Sequence, residues 1–145
     1  MLRHQLLTLL TGLSLPLLSS LSIASNEAVL GHWNTLDRNG KAQSLVELYL
    51  NGDQLNGRIV KLYDESKQGA LCQECEGEQH DQPIAGLVFI TGLKAAEDEW
   101  VDGRVLDPET GSEYDCKLWL DGDNLKLKAG FGFIGQTREW QRPAP

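Results

Sequence analysis

The sequence predicts an all-β fold, an eight-stranded antiparallel up-and-down β-barrel. Two observations carry this prediction: short runs in which apolar and polar residues alternate, and turn sequences that separate one run from the next. Closing consecutive strands into a barrel removes exposed sheet edges and leaves room for side chains or one small ligand. A two-sheet sandwich is the alternative arrangement of the same strands.

The predicted strands follow one another along the chain. They are AVLGHWNT, SLVELYL (44–50), QLNGRIVKLY (54–63), GLVFITG, EWVDGRVLD (99–107), SEYDCKLWL (112–120), LKLKAG and GQTREWQR. The turns between them include NGD, a strong hairpin signal, and then DPETG and DGDN. Alternation places a set of apolar side chains on the inner wall as candidate ligand contacts: Val46, Leu48, Ile59, Val101, Val105, Leu118 and Leu125.

The first 24 residues are typical of a secretory signal peptide. A short basic start at Arg3 precedes a leucine-rich run over residues 6–21, and small residues follow up to Ser25. Polar residues interrupt the run, whereas a membrane-spanning helix needs about 20 predominantly apolar residues. The sequence therefore predicts that residues 1–24 are cleaved and that residues 25–145 form one barrel domain. We expect a periplasmic or secreted protein that does not span the membrane.

Charge and composition argue against several functions. The net charge of the whole chain is −8, and removal of the signal takes away Arg3 and no acid, which leaves −9. An acidic surface repels phosphate backbones, so nucleic acid is not an expected partner. After the signal the only histidines are His32 and His80, and neither lies in a nucleophile motif. We expect no catalytic residues and no cofactor.

The segment 63–86 departs from the alternating pattern and is predicted to be a long loop over one barrel end. It carries Cys72 and Cys75, for which three interpretations compete. A zinc site needs about four ligands, and the loop adds only His80 and Asp81. A redox couple normally begins a helix, which is not visible here. A structural disulfide suits an exported protein best, so no metal is expected.

The pairing of the three cysteines stays open at this point. A bond between Cys72 and Cys75 closes a small local ring, whereas a bond from either one to Cys116 fastens the loop to the barrel wall. Cys116 lies on the apolar face of its strand, where a reduced buried cysteine is ordinary. This favours the local bond slightly.

The stretch AGFGFIGQ (129–136) alternates glycine with Phe131 and Phe133. A glycine-kinked strand that helps to close the barrel is the favoured interpretation. The alternative is an apolar rim at a ligand entrance, which makes both phenylalanines candidate ligand contacts.

Six blocks of the sequence carry a family resemblance. They are GHWNTLD, SLVELY, GRIVKLY, CQECEGEQHDQPIAGL, GRVLDPETGSEYDCKLWL and GQTREWQR. Together, and in this order, they resemble the bacterial family called domain of unknown function 2147, over nearly all of the chain after the signal. The resemblance implies a secreted protein with a lipocalin-like barrel, and the family name carries no activity.

Gly31-His32-Trp33 resembles the G-x-W signature that opens lipocalin-type barrels. In that fold the tryptophan closes the barrel bottom and an arginine from the last strand stacks on its ring, a cation–π contact. Gln136 stands where the family pattern has arginine, so the resemblance leaves Arg138 and Arg142 as candidates for the stacking role.

The predicted function is the binding of a small apolar molecule inside the barrel. The alternative is an envelope structural or protein-interaction module whose barrel is filled by its own side chains. The barrel interior distinguishes the two hypotheses, since only the first requires an empty apolar cavity.

Overall fold

A computed structural model describes residues 11–16 and 26–145 of the chain. The predicted cleavage position at Ser25 and most of residues 1–24 lie outside the described residues. Within the described ranges, no helix combines the length and the apolar character that crossing a membrane requires.

Eight antiparallel strands form a closed barrel in chain order, which confirms the predicted fold class. The strands are β1 (Gly31–Leu36), β2 (Ala42–Asn51), β3 (Gln54–Leu62), β4 (Val88–Ala96), β5 (Glu99–Leu106), β6 (Glu113–Asp121), β7 (Asn124–Phe131) and β8 (Ile134–Gln141). Two short 3₁₀ turns, Glu65–Lys67 and Gly77–Gln79, interrupt the long connection between β3 and β4.

The barrel has two unlike ends. At the closed end, the segment 26–30 and the short β2–β3, β4–β5 and β6–β7 turns come together. Val29 of that segment is buried, and the carbonyl oxygen of Asn26 accepts a hydrogen bond from Trp100 Nε1 at 3.1 Å. At the open end lie the β3–β4 loop and the β1–β2, β5–β6 and β7–β8 connections. The longest connection thus lies at the open end, which makes this end the candidate location of a functional site.

Apolar side chains fill the half of the barrel next to the closed end. Inward alternation along each strand brings them together, and removing them from water is the main stabilising contribution of the fold. The fully buried members of this packed half are Trp33, Leu48, Leu55, Leu93, Leu118 and Leu125.

A β-bulge in β5 changes the face of one predicted residue. Trp100 lies opposite Leu118, and Gly103 lies opposite Cys116, so β5 carries one residue more than β6 over this stretch. The extra residue is Asp102, whose φ is +59°. Trp100 and Gly103 are both buried.

Val101 consequently faces outward. It lies opposite the exposed Lys94 of β4 and is itself half-buried on the outer wall. The expected inward position of Val101 is therefore wrong, because the bulge interrupts the alternation on which that expectation depended.

The seam between β1 and β8 closes the barrel over a short distance. In the described part of the chain these strands pair only through Asn34 with Gln141 and Thr35 with Trp140. Because β1 ends at Leu36, residues 134–138 of β8 pair with β7 on one side only. The wall is therefore incomplete at the open end, beside the start of β8.

Candidate ligand-binding cavity

A cavity of about 1180 Å³ occupies the open end of the barrel. The residues that form its floor are apolar and nearly inaccessible to solvent: Val46, Ile59, Phe89, Val105, Leu127 and Trp140. The ring centres of Phe89 and Trp140 lie 6.1 Å apart, with the ring planes tilted by 37°, so the two aromatic side chains pack against each other in this floor. A molecule that enters the barrel therefore meets apolar groups at the floor, where each of these residues exposes at most 8 % of its surface.

The rim of the cavity is charged. Its basic side chains are Arg38, Lys41, Lys67 and Arg138, and its acidic side chains are Asp37, Asp64, Glu74, Asp107 and Glu109. Three of these acids accept hydrogen bonds from backbone N–H groups of their own turns, namely Asp37, Asp64 and Asp107. Hydrogen bonds from Ser66 also lower the pKa of Asp64. These carboxylates therefore serve mainly as turn formers.

The β3–β4 loop covers part of the cavity and folds back on itself. Leu71 pairs with Pro83 in an isolated antiparallel bridge, and the N–H of Ile84 donates to the carbonyl oxygen of Ala70 at 3.0 Å. At the start of the loop, the hydroxyl of Tyr63 donates to Asn34 Oδ1 of β1 at 2.7 Å. The predicted loop is thus an ordered, hydrogen-bonded cover.

A disulfide joins Cys72 and Cys75 inside this loop, which confirms the expected disulfide and selects the local pairing. Both cysteines are buried, and the N–H of Cys72 donates to the carbonyl oxygen of Gln82 at 2.7 Å. Cys116 is free and buried in the barrel wall. Burial raises the pKa of its thiol to about 12, so at neutral pH it is protonated and a poor nucleophile.

The part of the β3–β4 loop that carries the disulfide, residues 72–75 (the cysteine loop), packs on the β5–β6 turn at Gly111. A side chain at this position would overlap the carbonyl oxygen of Glu74, and the backbone there has φ +73°. Two features therefore require glycine at this position: the left-handed backbone and the close approach of the loop. Cys72 Sγ also lies 3.6 Å from the carbonyl oxygen of Pro108 in the same turn.

His80 and Asp81 are engaged within the loop. His80 Nδ1 lies 3.0 Å from the carbonyl oxygen of Cys75, and His80 Nε2 lies 3.2 Å from Asp81 Oδ2. Because both cysteines are in a disulfide, no thiolate is left to bind zinc together with His80 and Asp81. Over the described ranges, no three histidine, cysteine or carboxylate side chains converge as metal ligands.

The predicted ligand-lining residues fall into separate places. Three of them lie on the cavity floor: Val46, Ile59 and Val105. Three others are fully buried in the packed half beneath it: Leu48, Leu118 and Leu125. Val101 lies on the outer wall. The role of the floor residues as ligand contacts remains a prediction.

The two phenylalanines of the predicted aromatic rim lie outside the cavity lining. Phe131 packs against Tyr114 with ring centres 5.1 Å apart and is 59 % exposed, whereas Phe133 is fully exposed at the tip of the β7–β8 hairpin. Neither phenylalanine lines the cavity. Ile134, also 83 % exposed, completes an apolar hairpin tip beside the mouth.

At the closed end, Arg142 takes the stacking position over Trp33. Its Cζ lies 3.8 Å from the centre of the Trp33 ring, and Trp33 Nε1 donates to the carbonyl oxygen of Val29 at 2.8 Å. Gly31 has φ +102°, and a Cβ there would lie 3.3 Å from Arg142 Nη1. The first residue of the G-x-W pattern is thus glycine for backbone and spatial reasons.

Arg138, the other candidate for the stacking role, belongs to the cavity. It lies opposite Leu127 in the β7–β8 register and lines the cavity mouth. The floor residues Phe89, Leu127 and Trp140 were not predicted as lining. Leu127 and Trp140 alternate inward on predicted strands. The same alternation that placed Val46 on the inner wall was therefore sufficient to predict them.

Comparison with known proteins supports this architecture. Residues 31–142 match a family described as "Uncharacterized protein conserved in bacteria (DUF2147)". Among solved structures, the barrel is similar to protein HP1028 from Helicobacter pylori, described as belonging to the lipocalin family. The TM-score is 0.70 at 17 % identity, over 80 % of this chain and 83 % of that one. No curated protein shows significant similarity to the sequence.

Proposed function

The chain belongs to the bacterial family DUF2147, and we propose that it is an exported protein that binds a small apolar molecule at the open end of its barrel. The observation that carries this proposal is the cavity with an apolar floor beneath a cross-linked loop. A structural module needs no such space, since side chains alone can fill a small barrel. Here a cavity of about 1180 Å³ remains at the open end, above the buried core.

The size of the apolar floor is compatible with useful affinity. A ligand that buries roughly 400 Å² of apolar surface gains about 10 kcal/mol at about 25 cal/mol per Å². Association costs at least about 4 kcal/mol, which leaves at most about 6 kcal/mol, or a dissociation constant of about 40 μM or weaker. Since Phe89 and Trp140 already pack against each other, the floor itself needs little ordering on binding.

Titration with a fluorescent fatty-acid analogue tests binding at this cavity. Ile59→Phe adds volume inside the cavity, whereas Val60→Phe makes a similar change at the next residue, which is exposed on the outer wall. We expect saturable binding that the first substitution weakens at least about fivefold, in line with the cost of overpacking. The second should leave it unchanged. Equal affinities for both variants would place the ligand elsewhere.

Export is supported by the composition of residues 1–24, which is typical of a secretory signal peptide. The intact mass of the protein recovered from the bacterial envelope tests it directly. We expect a chain that begins near Ser25. Recovery of a cytoplasmic chain that retains Met1 would refute this part of the proposal.

A second candidate function is a protein-interaction module. The observation in its favour is the apolar tip of the β7–β8 hairpin, where Phe131, Phe133 and Ile134 are 59 %, 104 % and 83 % exposed. Exposed apolar groups of this kind often mark contacts with other proteins. Absence of saturable small-molecule binding would favour this function over the first.

A further inference from the structure

We infer that the ligand is an amphiphile whose carboxylate head group is bound by Arg138 at the cavity mouth and whose apolar chain lies on the floor below. This inference rests on the proposed function, and it adds a chemical class to the ligand. It depends on three features of Arg138: its height in the cavity, its lack of a carboxylate partner among the described residues, and the incomplete wall beside it.

Arg138 lies at the upper edge of the apolar floor, level with Leu127 and one inward position above Trp140. It lies opposite Leu127 across the β7–β8 ladder, and Trp140 follows two residues later on the same face. Two residues of strand correspond to about 7 Å. A molecule whose chain lies on Leu127 and Trp140 therefore has its upper end beside the guanidinium group.

The guanidinium group of Arg138 is available. Its only hydrogen bond to a described residue runs from Nη2 to Gln136 Oε1 at 2.9 Å. None of the ion pairs among the described residues includes Arg138, whereas Arg58 and Arg104 on the outer wall pair with Glu47 and Asp115. The planar fork of donors on an arginine matches a carboxylate group, which it can bind through two parallel hydrogen bonds.

The surroundings of Arg138 favour an anion there over a neutral group. A wholly apolar ligand that covered the guanidinium would strip water from a charge without replacing the lost hydrogen bonds, which is unfavourable. Three acids of the same rim, Asp37, Asp64 and Asp107, already accept hydrogen bonds in their own turns. A carboxylate supplied by the ligand satisfies the arginine instead.

The incomplete wall gives the head group a position at the surface. Residues 134–138 of β8 have β7 as a neighbour but no pairing with β1 in the described chain. Arg138 is accordingly exposed to solvent. A carboxylate there keeps part of its hydration while the chain is buried, which lowers the cost of binding a charged group.

Isothermal titration with dodecanoate and with dodecan-1-ol tests the inference. Both compounds carry the same chain, and at pH 8 only the first is charged. We expect the purified protein to bind dodecanoate about tenfold more tightly than the alcohol, and added salt to weaken only the former. In Arg138→Gln the two affinities should become equal. Arg58→Gln, which removes a positive charge from the outer wall, should retain the tenfold preference.

Each other outcome has a definite meaning. Equal affinities of the unmodified protein for both compounds would overturn the inference and leave the proposed function standing. A preference retained in Arg138→Gln would overturn the role of this arginine. No saturable binding of either compound would overturn the proposed function and the inference together. Arg138→Lys, which keeps the charge, should retain part of the preference, and melting curves of the variants verify that each is folded.

Discussion

Arg142 stacks on Trp33, with its guanidinium carbon 3.8 Å from the centre of the indole ring. The same guanidinium group donates hydrogen bonds to three carbonyl oxygens at the entry of the chain into the barrel, those of Ala28, Leu30 and His32, at 2.8 to 3.1 Å. One side chain therefore connects the end of β8 to the start of β1 and covers the tryptophan that closes the barrel. Burial lowers the pKa of this arginine, but its charge is retained under all ordinary conditions.

Replacement of Arg142 by methionine should destabilise the barrel by about 2 kcal/mol, because a cation–π contact and three charge-assisted hydrogen bonds at a partly exposed site are lost. Urea unfolding measures the change. Arg138→Met is the matched control, since within residues 26–145 the guanidinium of Arg138 bonds only to Gln136, and it should change stability by less than about 0.5 kcal/mol. Equal losses in the two variants would contradict the assignment of Arg142.

Trp33→Ala should cost about 3–5 kcal/mol, as the removal of a large buried aromatic side chain does. Trp33 is 1 % exposed and contributes to the packed half of the barrel. Trp119 is the control, because it is half-buried on the outer wall, where Lys117 Nζ lies 5.3 Å from its ring. Trp119→Ala should cost about 1 kcal/mol. Comparable losses would mean that Trp33 does not close the barrel.

Gly111→Ala should displace the cysteine loop from the β5–β6 turn. The added methyl group would meet the Glu74 carbonyl, and the left-handed backbone adds about 1 kcal/mol of strain. Gly122→Ala shares the strain, with φ +61°, but has open space around it. We expect faster proteolysis between residues 63 and 86, and a further loss of about 1–3 kcal/mol, only in the first variant. A loop equally protected in both variants would contradict the contact.

Cys116 should make the barrel sensitive to alkaline pH. Burial, and to a lesser extent Asp115, raises the pKa of its thiol from 9.0 to about 12, against a lowering contribution from Arg104. The folded state therefore holds this proton more tightly than the unfolded chain. The resulting stability is complete below pH 9.0 and is lost as pH rises toward about 12.

Urea unfolding at several pH values from 8 to 11 measures this effect. The free energy of unfolding of the unmodified protein should fall by up to about 1 kcal/mol per pH unit more than that of Cys116→Ala. Because lysines and tyrosines titrate in both proteins, only the difference between the two curves reports on the thiol. Parallel curves would show that Cys116 is not the source.

The sequence predicted the barrel because uninterrupted alternation follows directly from the geometry of a strand. It placed Val46, Ile59 and Val105 on the inner wall correctly for this reason. It failed at Val101, because a bulge at Asp102 inserts a residue, and local sequence does not mark such an insertion clearly.

The cavity was harder to predict than the wall. Arg138 and Arg142 share a face by alternation, but one lies at the mouth and the other at the closed end, since Trp140 between them is at mid-height. Alternation reports the face of a side chain and not its height along the barrel axis. For the same reason, Leu48 and Leu118 were expected to contact ligand, although they fill the half beneath the cavity.

The central claim is that an apolar molecule enters the cavity, and ligand titration followed by two-dimensional NMR tests it most directly. On addition of dodecanoate, we expect saturable shifts of the Trp140 indole N–H and of the methyl groups of Ile59 and Val105, which lie on the cavity floor. The indole N–H of Trp33, at the closed end, should not move. Shifts confined to Phe133 and Ile134 at the exposed hairpin tip, or no saturable shifts at all, would contradict the claim.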